Sequence, residues 1–125
     1  MVRLGAEHLS DDGCIVLVSG APARRAKPGQ AAIASVGGAV EQFVRAVTAE
    51  LAPKRINVVS PGVIDTPMFG NDADARAKML GGATAKNLIP RAGTSEEVAE
   101  GIMFVVKNDF VTGTTVDVDG GWILS

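Results

Sequence analysis

Asn57-Val58-Val59-Ser60-Pro61-Gly62-Val63-Ile64-Asp65-Thr66-Pro67 is the stretch that decides the fold. Together with Ile56, its first residues through Val59 read as a strand. Ser60-Pro61-Gly62 closes that strand. Proline removes a backbone donor and fixes its own φ, and glycine reaches turn conformations that other residues avoid. Turn chemistry alone is enough to explain those three residues, so a binding role needs support from elsewhere in the chain.

Upstream, apolar residues at 33, 36, 40, 43, 44, 47 and 51 recur with a helical period across Gln30–Leu51. Pro53 ends that helix, because the residue before a proline is driven out of the helical region. Cys14-Ile15-Val16-Leu17-Val18 is a second buried-strand run, preceded by the turn signal Asp11-Asp12-Gly13 and a short helical piece over residues 2–9. The loop from Gly20 to Gly29 contains Pro22, Pro28 and the cations Arg24, Arg25 and Lys27. Downstream, Asn71-Asp72 begins a polar, alanine-rich stretch that reads equally as helix or loop. Thr94-Ser95-Glu96-Glu97 is a capping box, in which the Thr94 hydroxyl and the Glu97 carboxylate satisfy each other's orphan amides. The helix it opens is expected over 95–106, ending near Lys107-Asn108, and Val111–Val118 reads as the last strand. The order helix, strand, helix, strand, helix, strand calls for a parallel sheet with crossover helices, in a single domain over residues 1–125. Only a short helix precedes the strand at 14–18, so one of its edges is expected to be bare.

Composition narrows the functional classes. A formal charge of −2 leaves no basic stripe for nucleic acid. Apolar runs break well before the roughly eighteen residues of a membrane helix. The opening Met1-Val2-Arg3-Leu4 lacks the order of a secretory signal. A lone cysteine, Cys14, cannot form an internal disulfide, which fits a reducing, cytoplasmic compartment.

The quoted stretch and the ending Thr112-Gly113-Thr114-Thr115-Val116-Asp117-Val118-Asp119-Gly120-Gly121-Trp122 resemble the short-chain dehydrogenase/reductase family. The resemblance runs from Gly13 to Gly121 and corresponds to the second half of that family's chain. It implies an α/β fold, a partial Rossmann-like doubly wound parallel sheet of about three strands with crossover helices. It also implies an NAD- or NADP-linked oxidoreductase lineage and a homo-oligomer. In relatives the first half adds strands and a Thr-Gly-x-x-x-Gly-x-Gly loop that holds the cofactor pyrophosphate at a helix N-terminus. No such loop stands in this sequence, and Gly37-Gly38 fall inside a helix whose amides are already used. In relatives the turn after the sixth strand touches the nicotinamide carboxamide and its threonine reaches the phosphates. Carried over, these cofactor-binding positions are Pro61, Gly62, Ile64 and Thr66.

The same resemblance locates the catalytic positions. Pro28-Gly29-Gln30 resembles the loop before the family's central helix, and Ala49-Glu50-Leu51-Ala52-Pro53 resembles that helix's end. Counting between them puts the family tyrosine at Ile33, its lysine at Gly37 and its serine at Gly20. In relatives the tyrosine protonates the substrate oxygen, the lysine lowers its pKa and the serine orients the carbonyl. Isoleucine and glycine do none of this, and the chain contains no tyrosine at all. Ser19 neighbours the serine position, but adjacent strand residues point to opposite faces. Ser35 has no histidine or lysine beside it, and Arg45 lies about 12 Å along the helix from Gly37. No catalytic residue is therefore assigned, and no cofactor beyond the NAD or NADP that the resemblance implies.

The remaining candidates have plainer readings. His8 reads as a surface residue and Cys14 as a small apolar filler. Asp72 and Asp74 lack the glycine and distal glutamate of a calcium loop, so no metal site is assigned. Asp117 and Asp119 read as edge or loop-facing carboxylates. Gly37 and Gly38 cost about 1 kcal/mol each relative to alanine in a helix, which suggests close packing, and in the resembled family this helix packs against its mate in a dimer. The expected function is that of a truncated or degenerate pseudoenzyme, acting as an oligomeric binding or structural module. The alternative is one part of an NAD(P)-dependent oxidoreductase completed by a second chain, which would cover the bare strand edge.

Overall fold

A computed structural model describes residues 1–125. Its centre is the strand Arg55–Pro61 (β2), buried at every position but the last. Cys14–Val18 (β1) pairs with it in parallel, Cys14 opposite Arg55 through Val18 opposite Val59. Thr115–Val118 (β3) pairs in parallel on the other side, Val58 opposite Thr115 through Pro61 opposite Val118. The sheet order is β1-β2-β3, and the outer edge of β1 has no partner within these residues. Cover over β1 is also less complete than an apolar run implies, and Val18 is 54% exposed.

Alternation along β2 sends successive residues to opposite faces. Ile56 and Val58 meet Val44 of the helix Ala31–Leu51 (α2), with Ile15, Leu17, Val40, Val47 and Leu51 around them. On the other face Val59 lies against the helix Ser95–Lys107 (α4) at Gly101, where a Cβ would come within 2.7 Å of Val118 and 3.7 Å of Val59. Helices therefore cover both faces of the sheet. Not every position of the α2 apolar period is buried: Val36 is 65% and Phe43 43% exposed.

The remaining helices are Val2–Ala6 (α1), shorter than the 2–9 expected, and Ala73–Thr84 (α3). The ambiguous polar stretch is thus a helix. Asp72 makes it one by accepting the Ala75 N–H at 2.8 Å. The Thr94–Glu97 capping box forms at the start of α4. The last strand begins at Thr115 rather than Val111, because residues before it form a turn in which Gly113 takes φ +69°. No helix is long and apolar enough to cross a membrane.

Two polar residues of β2 organise that turn. The buried Arg55 guanidinium donates to the carbonyls of Val105 (2.7 Å), Val106 (2.8 Å), Asn108 (3.2 Å) and Val111 (3.2 Å). The end of α4 has carbonyls without helical partners, and a cation there also suits the helix dipole. Asn57, wholly buried, donates to the Val111 carbonyl at 3.0 Å and accepts the Thr114 N–H at 3.2 Å. Replacing Arg55 by Met keeps the apolar stem and strands those carbonyls. Arg55→Met is expected to lose about 2–4 kcal/mol of stability, read as a lower urea midpoint.

At the other end of α4, Glu97 accepts two hydrogen bonds from Arg91 and one from the Thr94 amide. The Arg91 bond first and the Thr94 amide second pull its carboxyl from the ordinary 4.5 down to about 2. A depressed carboxyl pKa contributes stability in full above the ordinary value, and that contribution fades as pH falls towards the folded value. Protection of the amides in the first turn of α4 is therefore expected to weaken between pH 4.5 and about 2. Hydrogen exchange measures it, and Glu97→Gln should flatten the dependence.

Candidate functional site

A cavity of about 520 Å³ opens at the C-terminal ends of β1 and β2. Crevices at the carboxyl ends of parallel strands are where ligands of open α/β sheets bind. Pro61, Gly62, Ile64 and Thr66, the positions singled out from the sequence, all line it. So do Gly20 and Ile33, which occupy the serine and tyrosine positions of the resemblance.

Gly37 does not line the cavity. A Cβ there would come within 2.9 Å of the Ala23 Cβ, in the 3-10 turn Ala21–Ala23. That turn has closed onto the place where a lysine would begin. The close approach expected of this glycine is present, against Ala23 of the same chain. Gly38 has only the Ala23 carbonyl oxygen at 4.0 Å.

Gly62 is fixed by packing as well. A Cβ there would lie 2.7 Å from both the Cα and the O of Asp119. The end of β3 therefore excludes any side chain at this turn. Beyond it, the Asp65 N–H donates to the Gly93 carbonyl at 2.8 Å and the Gly93 N–H to the Val63 carbonyl at 2.9 Å. These bonds hold Ile64 in place while leaving its own N–H and C=O free of partners in the chain. The Thr66 hydroxyl is free in the same way.

Ser19, one residue beyond β1, keeps the alternation of that strand: its side chain lies on the α2 side with Ile15 and Leu17, while the residue lines the cavity together with Gly20. Its hydroxyl donates to Glu41 Oε1 at 2.9 Å. Glu41 is 3% exposed, and Arg24 Nε lies 3.4 Å from its other oxygen. Arg24 also grips Asp117 with both guanidinium nitrogens, one of them at 2.9 Å from Oδ2. Asp117 lies exposed on the edge strand β3, as expected, and is also an ion-pair partner of Arg24. Asp119 is engaged too, accepting the N–H groups of Gly121 (2.8 Å) and Ile123 (3.0 Å).

The sequence reading passed over Glu41, Arg24 and Trp122. The Trp122 indole N–H donates to the Arg25 carbonyl at 3.3 Å, and Lys27 Nζ lies 3.6 Å from its ring centroid. Trp122 thereby ties the chain's end to the loop before α2. A signal for Glu41 was present: a carboxylate at the spacing of Gly37 and Val44, on the buried side of α2.

Comparison with known proteins agrees with this geometry. A profile described as enoyl-(acyl carrier protein) reductase matches residues 1–123. The chain belongs to the short-chain dehydrogenase/reductase family. It is 39% identical over 110 residues to a short-chain dehydrogenase/reductase of Stachybotrys chlorohalonatus, covering 88% of this chain and 44% of that protein. It is 41% identical over 116 residues to the cyclopentanol dehydrogenase of Comamonas testosteroni, covering 88% of this chain and 45% of that protein. A small-chain dehydrogenase solved in complex with NADPH superimposes with a TM-score of 0.92 at 32% identity, covering 99% of this chain and 57% of that one. The chain thus spans about half the length of these family members.

The paired glycines of α2 separate packing from propensity. Gly37→Ala is expected to destabilise the fold by about 1–3 kcal/mol through overpacking against Ala23. Gly38→Ala is expected to be neutral or to stabilise it by up to about 1 kcal/mol. Denaturant unfolding of the two variants measures the difference.

Proposed function

We propose that this chain is a non-catalytic member of its family, a binding module that keeps the ligand cavity and lacks the proton relay. The observation that carries this reading is the cavity wall itself. Gly20 and Ile33 stand at the wall where a hydroxyl and a phenol belong, and Ala23 takes the space beside Gly37. Neither glycine nor isoleucine can transfer a proton to a substrate oxygen or hold a carbonyl for attack.

The residues present fit one end of a nicotinamide dinucleotide. The unspent N–H and C=O of Ile64 match a carboxamide, and the free Thr66 hydroxyl matches a phosphate oxygen. They do not fit the other end, since no glycine-rich loop opens a helix towards a pyrophosphate. Weak binding of NAD(H) or NADP(H) without turnover is the expected behaviour. Calorimetry with both cofactors, followed by a carbonyl-dependent NADPH oxidation assay, tests it. Tight binding together with reduction of any ketone overturns the proposal.

The apolar residues Val36 and Phe43 on the exposed side of α2 support a homo-oligomer. Phe43→Glu is expected to reduce the solution mass measured by light scattering, with the helical content unchanged.

The open edge of β1 favours a second reading, an NAD(P)-dependent oxidoreductase completed by another chain. Recovery from its natural source without any second polypeptide counts against it.

A further inference from the structure

Trp122 is 5% exposed, although the short turn that carries it, Trp122–Leu124, belongs to neither the sheet nor a long helix. Its cover comes from the loop before α2. The indole N–H donates to the Arg25 carbonyl at 3.3 Å, and the Arg25 guanidinium donates to the Trp122 carbonyl at 3.0 Å. Lys27 Nζ, 3.6 Å from the ring centroid, lies over one face of the indole. The turn itself is fixed at its base, where Asp119 accepts the N–H groups of Gly121 and Ile123.

The loop has no comparable footing. Arg24 anchors its start to Glu41 and Asp117, and α2 begins at Ala31. Residues 25–29 between them are exposed, and a Cβ added at Gly29 would meet nothing within 4 Å. They are shaped from within: the Lys27 N–H donates to Gln30 Oε1 at 2.7 Å and the Gln30 N–H to the Lys27 carbonyl at 3.0 Å. A segment with its own turn and few packed contacts opens locally, ahead of the core. We infer that residues 25–29 are a flap that lifts as a unit from Trp122, with the positive charge of Lys27 setting how often it does so. Trp122 lines the cavity, so the flap is what backs that part of the cavity wall. A cation over an indole face is attracted by the ring quadrupole, and a neutral side chain of similar length is not. Neutralising Lys27 therefore raises the open fraction without touching the sheet.

Trp122 is the one tryptophan of the chain, so its indole reports on this contact alone. Hydrogen exchange of the indole N–H, followed by NMR, is compared with that of the Val58 amide at the centre of β2. Lys27→Gln is expected to speed indole exchange by about two- to five-fold, the strength of one exposed cation–π contact. Acrylamide quenching of Trp122 fluorescence should rise with it. Lys27→Arg keeps the cation and should leave both readings near the native ones. Val58 exchange should not change in either variant. Unchanged indole exchange in Lys27→Gln overturns the inference, because the charge then does not hold the flap. Equal acceleration at Val58 overturns it as well, because the whole fold has then loosened. No ligand is needed, so failure here leaves the binding reading untouched.

Discussion

The fold depends on what the buried Arg55 and Asn57 do from the central strand. A three-stranded parallel sheet needs its crossover helix delivered at a fixed height, and two side chains of β2 tie the end of α4 and the turn after it to the sheet. Val105 near the end of α4 is fully buried, and an unpaired buried carbonyl is expensive. Arg55 and Asn57 provide the missing donors from β2 itself. The strand that forms the core therefore also determines where α4 stops and β3 begins. A purely apolar β2 of the same length would bury equally well and leave that turn unanchored.

The cavity shows a second consequence of local replacement. Emptying the positions Gly20, Ile33 and Gly37 did not leave a void of matching shape. The turn Ala21–Ala23 lies against Gly37, and a polar network from Ser19 through Glu41 and Arg24 to Asp117 ties that turn to α2 and β3. Glu41 is the buried charge of that network, and it is partnered by both Ser19 and Arg24. Reinstating a lysine at Gly37 would thus require moving the turn and breaking the network with it.

Strands, caps and helix period were legible because each rests on neighbours close in sequence. The apolar runs of β1 and β2, the Thr94–Glu97 box and the Pro53 stop are of this kind, and all appear in the structure. The resemblance placed Pro61, Gly62, Ile64 and Thr66 on one cavity wall because the motif is contiguous. The Ser19–Glu41 and Arg24–Asp117 pairs were not legible, since they join residues far apart in the chain and carry no spacing rule. Gly37 was correctly read as a close contact, but periodicity along one helix cannot say which element comes close.

The bare edge and the cavity are linked by geometry. β1 runs parallel to β2 and delivers Ser19 and Gly20 to the cavity rim from its C-terminal end. Any strand that paired with β1 in parallel would bring its own C-terminal end to the same rim, beside Ser19. An edge partner would therefore also wall the cavity, and a ligand touching both would bind more tightly when the edge is covered. By linkage the ligand would in turn strengthen the pairing.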